Sequence, residues 1–210
     1  TFKYIIILMS KLTNCILKKD SSCVPLWFMR QAGRYLPEFQ NIRSKNKDFI
    51  KLCLNSNLSS EITLQPLKRF DLDAAIIFSD ILMVPYALGQ EVVFKKDKGP
   101  VLEDFNLDFF LNNNENNFTK KLSPVYEAIR KTRQNLDKTK SLISFVGAPW
   151  TLAIYMLNLK LDKNTINLKK MKKKENELKI IINKLNKYLC IHLRNQIDAG
   201  ADTIQIFDSW

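Results

Sequence analysis

The chain of 210 residues is 46% hydrophobic and 26% charged, a composition that supports a packed core and excludes a fully disordered chain. Lysine and arginine outnumber aspartate and glutamate by 33 to 21, which gives a net charge of +12. Nucleic acid, an anionic membrane and an acidic small molecule all attract such a charge, so its position along the chain matters more than its size.

The chain begins with a short apolar run from Tyr4 to Met9. The run is too short to cross a bilayer, and it lacks the small-residue cleavage site of a secretory signal. We therefore expect residues 1–9 to be an upstream extension or a disordered start, with Met9 as an alternative first residue. Residues 10–210 are expected to form one domain.

Four short runs of apolar or β-branched residues predict buried strands. They are Val24 to Met29, Asp73 to Phe78, Leu142 to Gly147 and Asp202 to Phe207. Helical patterns cover Ser59 to Phe70, Thr119 to Leu136, Trp150 to Leu157 and about Thr165 to Asp198. Gly200 is placed to end the last helix. Strands that alternate with helices favour parallel βα units, as in a (β/α) barrel.

The connections carry three further signals. Glu91 to Leu102 predicts a hairpin that turns at Lys98-Gly99, and the asparagine-rich stretch from Asn112 to Asn117 predicts a loop. Between Lys160 and Lys187, ten lysines minus three acidic residues leave +7 of the net charge. Lysines spread among asparagines and leucines are typical of a solvated helix face, so this segment favours solvent contact over nucleic-acid binding.

Polar or aromatic residues follow each predicted strand. Arg30 follows the first, Ser79-Asp80 the second, Ala148-Pro149-Trp150 the third and Asp208-Ser209 the fourth. In a (β/α) barrel the carboxyl ends of the strands form the active face. We therefore expect these residues to surround one cavity.

Two of these positions each have two open interpretations. Arg30 and Arg34, four residues apart on either side of Gly33, form either a carboxylate clamp or ordinary surface ion pairs, with Arg43 as a third arginine nearby. A carboxylate at the barrel mouth needs cationic or N–H partners. Asp80 therefore either receives a row of ligand N–H donors or pairs with Arg30.

Other chemistries lack their motifs. The five glycines form neither a dinucleotide fingerprint nor a phosphate-binding loop. The four cysteines and the single histidine do not have the spacing of a zinc site, and cysteines without a secretory signal favour reduced thiols in the cytosol. His192 lies inside an amphipathic helical pattern and is expected on a helix face rather than as a catalytic base. Tyr155 stays open as a core residue or a ligand hydroxyl.

Four segments together resemble the uroporphyrinogen decarboxylase family. They are MRQAGRYLPEF, FSDIL followed by Pro85, FVGAPWTL followed by Tyr155, and GAD-x-x-Q-x-FDSW, and they occur in the family's order over Pro25 to Trp210. The resemblance implies a (β/α)8 TIM barrel. Because such a barrel takes about 250 residues, we expect residues 10–210 to supply its first half to two thirds, truncated on the carboxyl-terminal side. Such a stretch alone is expected to fold poorly.

The resemblance implies an enzyme that decarboxylates the four acetate side chains of uroporphyrinogen III, giving coproporphyrinogen III in haem biosynthesis. It implies no metal and no organic cofactor, a homodimer when full length, and a location in the cytosol or a plastid, of which we expect the cytoplasm. Neither nucleic acid nor a membrane is an expected partner. The eight carboxylates of this substrate account for the arginines better than surface pairing does.

Residue roles are carried over by motif. The resemblance implies that Asp80 accepts hydrogen bonds from pyrrole N–H groups and that Arg30 positions a carboxylate, so these two are the catalytic candidates. The implied substrate contacts are Arg30, Gln31, Ala32, Gly33, Arg34, Arg43, Asp80, Tyr155 and Ser209. A late histidine of the family's site is expected beyond the end of this chain.

Two other functions stay open. A truncated, non-catalytic remnant that binds tetrapyrroles fits the absent carboxyl-terminal part. A related barrel methyltransferase acting on corrinoids would place a zinc-binding set late in its chain. The lysine-rich segment after Tyr155 also departs from the family pattern, in which a glycine-containing stretch follows, so the loop on that side of the site is expected to differ.

Overall fold

The computed structural model describes residues 9–19, 22–95, 99–162 and 165–209. The helices are α1 (Lys11–Lys18), α2 (Pro37–Lys45), α3 (Phe49–Cys53), α4 (Ser56–Arg69), α5 (Met83–Ala87), α6 (Leu107–Leu111), α7 (Glu115–Asn135), α8 (Pro149–Met156), α9 (Leu168–Lys173) and α10 (Glu175–Asp198). The strands are β1 (Ala74–Ile76), β2 (Val92–Lys95), β3 (Gly99–Leu102), β4 (Ser141–Gly147) and β5 (Thr203–Phe207). Apart from Met9, the predicted extension lies outside the described residues.

Three parallel strands form the main sheet in the order β1-β4-β5. Ile76 lies opposite Ile143 on β4, and Gly147 at the other end of β4 lies opposite Phe207. Sequential parallel neighbours joined through helices are the arrangement of a (β/α) barrel. Three of the four predicted strands are thereby confirmed as strands, but β5 is not buried as predicted, because it lies at the edge of the described sheet with Ile206 54% exposed.

The strand prediction for Val24 to Met29 is wrong. Residues 24–28 are irregular, although Leu26 is hydrogen-bonded to Asp73, just before β1. The Leu26 carbonyl accepts from the Asp73 N–H at 2.9 Å, but the Leu26 N–H donates to the side-chain Oδ2 of Asp73 at 2.8 Å. A carboxylate therefore takes the place of a backbone acceptor, and Val24 is 90% exposed rather than buried.

Helix α1 lies across the amino-terminal ends of β1 and β4. Ser10 caps the helix by accepting from the Thr13 N–H at 3.1 Å, and its hydroxyl also bonds to that of Ser141 at the start of β4. Lys11 pairs with Asp73, just before β1, at 3.0 Å. A small apolar cluster on this face of the sheet contains Leu12, Ala74, Ile76 and Ile143, with Trp27, Phe145 and Phe207 packed against it.

The main core lies on the opposite face, where the helices cover the sheet. Leu142 and Val146 of β4 alternate with the residues that face α1, as the two-residue period of a strand requires. Helices α4 and α7 pack closely against each other, and α10 packs on α7 and α8. None of the described helices is long and apolar enough to cross a membrane.

One helix prediction and one loop prediction need correction, and the predictions of a hairpin and of a helix end at Gly200 are confirmed. The segment from about Thr165 to Asp198 forms two helices, because the backbone leaves helical geometry at Lys174 (φ −112°, ψ 19°). The predicted asparagine loop ends at Asn114, whose side chain caps α7, so Glu115 onward is helical. The β2–β3 hairpin is confirmed, with Lys98 of its turn outside the described residues. Gly200 ends α10 as predicted, at φ 114°.

His192 is buried on α10, as a helix-face residue, and is 4% exposed. Its Nδ1 lies 2.9 Å from the hydroxyl of Tyr126 on α7. Burial lowers the pKa of His192 from 6.5 to about 3. As pH falls through this window the unfolded chain gains a proton that the folded chain does not, so stability decreases below pH 6.5.

We expect His192→Gln to flatten that acid dependence. His192 is the only histidine of this chain, and the difference between wild type and variant isolates its contribution from that of any other titrating group. A buried imidazole that stays neutral lowers the free energy of unfolding by about 1.4 kcal/mol for each pH unit below 6.5. Urea unfolding of wild type and variant at pH 7.5, 6 and 5 measures the difference between them. Parallel pH dependences would contradict the buried, neutral imidazole.

Candidate active site

Asp80 stands beyond the carboxyl end of β1. The last bond from this strand to β4 is donated by the Ile77 N–H to the Ile143 carbonyl at 2.9 Å. The chain then turns into α5, and Oδ1 of Asp80 accepts from the Leu82 N–H at 2.8 Å. A side chain that bonds to the backbone two residues on holds its own turn in place, so the carboxylate is held where the strand ends.

Burial raises the pKa of Asp80 from 3.8 to about 6. The Leu82 N–H and the charge of Arg30 act in the opposite direction but do not cancel the loss of solvation. At neutral pH the group is therefore a carboxylate that is poorly supplied with partners. Such a carboxylate is suited to accept hydrogen bonds from a ligand.

Arg30 and Tyr155 lie within electrostatic reach of Asp80. Burial raises the pKa of Tyr155, Asp80 raises it further, and Arg30 lowers it. Tyr155 belongs to α8, which begins directly after β4. Three predicted site residues from three segments thus lie near one another at one end of the sheet. Among the described residues no ion pair joins Asp80 to Arg30, so Arg30 acts on Asp80 over a longer range.

The loop that carries Arg30 is held by Gln31, which is 5% exposed. Its Nε2 donates to the Ala74 carbonyl on β1 at 2.9 Å, and its Oε1 accepts from the Phe28 N–H at 3.0 Å. Both bonds are to backbone, so in this structure Gln31 orients its neighbour Arg30. Its predicted contact with substrate stays a prediction.

The chain after Gln31 turns at Arg34 and Tyr35. Ala32 packs against the main core, and the Gly33 carbonyl accepts from the Leu36 N–H at 3.0 Å. A side chain at Gly33 would collide with the ring of Tyr35. Arg34 is exposed, and its carbonyl accepts from Nε2 of Gln40 at 3.2 Å. The Arg34 guanidinium is therefore accessible to a ligand, which is compatible with its predicted role.

Arg43 lies on α2, behind the aromatic residues near Asp80. Its guanidinium donates to the Asn46 carbonyl and lies 5.8 Å from the centre of the Phe49 ring. Phe49 in turn meets Phe78 edge to face at 5.7 Å. The structure therefore brings Arg43 close to the site through aromatic neighbours rather than by direct contact with Asp80.

Cys53 is a neighbour of the site that the sequence patterns did not single out. It is 1% exposed. Burial raises the pKa of its thiol well above the usual value, and the charge of Asp80 adds to this effect. The thiol therefore stays protonated and acts as a small apolar residue beside the carboxylate.

Ser209 is placed by Thr151, a second residue that the sequence analysis missed. The buried Thr151 hydroxyl accepts from the Ser209 N–H at 2.7 Å and donates to Oδ1 of Asp208 at 2.8 Å. The Ala148 N–H also donates to the Phe207 carbonyl at 2.8 Å. The segment after β5 is thus attached to the first turn of α8, one turn before Tyr155.

A cavity of about 830 Å³ adjoins Arg30 and Gln31. It is lined mainly by apolar residues, among them Leu26, Phe28, Met29, Phe70 and Leu72. Arg30 and Gln31 line this cavity, whereas Asp80 and Tyr155 are not among its lining residues. Within the described ranges, no three His, Cys, Asp or Glu side chains are grouped to hold a metal ion.

A parallel βα sheet with polar residues at the carboxyl ends of its strands places the chain in the (β/α)-barrel class, with its candidate active face at the end that carries Asp80. The comparisons with known proteins agree. A model of the family "Uroporphyrinogen decarboxylase" matches residues 8–210.

Two curated relatives are similar over most of the chain. The chain is 48% identical over 201 residues to the uroporphyrinogen decarboxylase of Rickettsia felis. The aligned part covers 92% of this chain and 56% of that protein. The chain is 46% identical over 200 residues to the uroporphyrinogen decarboxylase of Campylobacter jejuni, covering 94% and 59%. The chain belongs to the uroporphyrinogen decarboxylase family. It spans less than two thirds of the length of these relatives.

One solved structure supports the fold. A methyltransferase from Methanosarcina mazei superposes with a TM-score of 0.72 over 94% of this chain and 57% of that chain. The two sequences are 16% identical, so this likeness concerns the barrel fold alone. Together with the family membership it confirms the predicted fold class.

Proposed function

We propose that the protein to which this chain belongs decarboxylates the four acetate side chains of uroporphyrinogen III and gives coproporphyrinogen III. The observation that carries the proposal is the poorly solvated Asp80 carboxylate at the end of β1, within electrostatic reach of Arg30 and Tyr155. An acceptor for pyrrole N–H groups beside a cation for a carboxylate matches the two kinds of group that this substrate presents.

The reaction needs no cofactor, because the pyrrole ring can accept the electrons. A proton adds to a ring carbon and makes the ring cationic. The bond between the acetate methylene and its carboxylate then breaks, and its electron pair neutralises the ring as carbon dioxide leaves. A proton on the methylene carbon and loss of the added ring proton leave a methyl group.

Asp80 acts by stabilising the cationic ring. A preorganised carboxylate in a poorly solvated site interacts more strongly with developing charge than it would in water. Arg30 positions the reacting carboxylate, and either Arg30 or a water molecule beside it delivers the proton. The other proposed substrate contacts are Gln31, Ala32, Gly33, Arg34, Arg43, Tyr155 and Ser209. The proposed enzyme is a cytoplasmic homodimer that binds neither nucleic acid nor a membrane.

The proposal is tested with the full-length protein and chemically reduced uroporphyrinogen III under anaerobic conditions. We expect four molecules of carbon dioxide per substrate, with products separated by chromatography after oxidation to porphyrins. Tetrapyrrole binding without release of carbon dioxide would overturn the proposal in favour of a non-catalytic remnant.

A further inference from the structure

The backbone of Phe78 is bonded to helix side chains instead of to a strand. Phe78 lies two residues beyond the end of β1, after the last bond to β4. Its N–H donates to Oγ1 of Thr63 at 2.9 Å, and its carbonyl accepts from Oγ of Ser59 at 2.7 Å. Both hydroxyls belong to α4, which packs on β1.

The two hydroxyls form a closed set with the helix backbone. Thr63 donates its own hydroxyl proton to the Ser59 carbonyl at 2.7 Å, which leaves its oxygen free to accept from Phe78. Ser59 and Thr63 are each 1% exposed, and Phe78 is 9% exposed. Because leaving a buried polar group without a partner costs about 1–3 kcal/mol, this hydroxyl clamp selects one path for the chain between β1 and α5.

Asp80 follows Phe78 by two residues, and the only hydrogen bond to its carboxylate among the described residues comes from Leu82, on its own turn. The clamp is therefore the nearest attachment of the Asp80 segment to the rest of the fold after the strand ends. We propose that Ser59 and Thr63 are positioning residues for Asp80, an inference that rests on the proposed decarboxylase function.

Removing one hydroxyl at constant shape tests the clamp. Thr63→Val loses the acceptor for the Phe78 N–H, and a displacement of about 1 Å at a reacting group can cost about 100-fold in rate. In the full-length protein we expect kcat to fall tenfold to 100-fold with a smaller change in KM. Thr63→Ser keeps the hydroxyl and is expected to restore most of kcat. Ser59→Ala is the second variant, and it removes the donor to the Phe78 carbonyl.

The chain offers a matched control in a second hydroxyl pair. The hydroxyl oxygen of Thr132 on α7 lies 3.0 Å from that of Ser60 on α4, and the Thr132 hydroxyl donates to the Ala128 carbonyl at 2.7 Å. Thr132 is 0% exposed and Ser60 is 6% exposed, and neither of these two hydrogen bonds involves the Asp80 segment. Thr132→Val is expected to lower stability by a similar amount while leaving kcat near the wild-type value.

A second measurement does not depend on catalysis. We expect the Phe78 amide to lose protection from hydrogen exchange in Thr63→Val and to keep it in Thr132→Val. Equal kcat values for these two variants, or an unchanged Phe78 amide, would overturn the positioning role. A wild-type protein that releases no carbon dioxide would reject the proposed function instead, and the Phe78 amide would still report whether the clamp holds this segment.

Discussion

Asp80→Asn is expected to lose at least tenfold to 100-fold in turnover while the folded protein becomes more stable at neutral pH. Loss of one preorganised group that stabilises developing charge costs on this order or more. The asparagine carbonyl can still accept from the Leu82 N–H that Asp80 binds at 2.8 Å. The turn is thereby kept, and the charge is the property that changes.

The gain in stability follows from the raised pKa of Asp80. Between pH 3.8 and about 6 the folded chain keeps a proton that the unfolded chain has released, so stability falls as pH rises through this window. Above it, burial of the charged group costs up to about 3 kcal/mol, at about 1.4 kcal/mol per unit of pKa. We expect Asp80→Asn to recover about 1–3 kcal/mol at pH 7.5 and almost nothing at pH 4.

Urea unfolding at pH 7.5 and pH 4, together with single-turnover rates, measures both effects. Asp48→Asn is the control, because Asp48 also accepts a backbone N–H, from Lys51 at 3.0 Å, but is exposed. Because the Asp48 side chain is exposed, Asp48→Asn should give no gain in stability at pH 7.5 comparable to that of Asp80→Asn. An Asp80→Asn protein with near-normal turnover, or one destabilised at pH 7.5, would contradict the assigned role of this carboxylate.

Arg30→Gln is expected to lower kcat/KM by about tenfold to 100-fold and to move the acid limb of its pH profile upward. A charge-assisted hydrogen bond contributes about 1.5–3 kcal/mol, which corresponds to a loss of this size. Arg30 lowers the pKa of Asp80, so without its charge Asp80 would need a higher pH to ionise. For the wild type we expect the acid limb near pH 6, where Asp80 titrates in the free enzyme.

Arg34→Gln separates the two effects. Arg34 is exposed in the same loop, and it is not among the groups that shift the pKa of Asp80. The Arg34→Gln variant should bind substrate more weakly and keep the acid limb of the pH profile where it is in the wild type. The measurement is kcat/KM from pH 5 to 8 for the wild type and both variants. Identical acid limbs in Arg30→Gln and Arg34→Gln would show that Arg30 does not act on Asp80.

The elements that sequence reasoning predicted correctly are those whose pattern is local. The apolar runs of β1 and β4 are covered by helices, so their burial follows from composition, whereas β5 at the edge of the described sheet is only partly buried. Val24 to Met29 has a similar composition but lies at the edge of the sheet, where the Asp73 carboxylate takes the N–H of Leu26. No pattern within the segment itself reports a partner 47 residues away.

The same distinction applies to the site. Asp80 was predictable, because an apolar strand that ends in a carboxylate must place it at the barrel mouth. Thr151, Ser59 and Thr63 were not, because a hydroxyl inside a helix pattern gives no sign of the backbone that it contacts. Gln31 shows a third case, in which the motif was recognised but its side chain is bonded to Phe28 and Ala74.

The position of helix α1 has a consequence for substrate binding and product release in the proposed enzyme. With Leu12 against Ala74, Ile76 and Ile143, it covers the end of β1 and β4 away from Asp80. In the proposed enzyme, a macrocycle that binds at the Asp80 end would therefore enter and leave on the same side. Incoming substrate and partly processed intermediates then compete for one entrance. The number of acetate groups decarboxylated during one binding event then depends on how long the macrocycle stays bound relative to the rate of each decarboxylation.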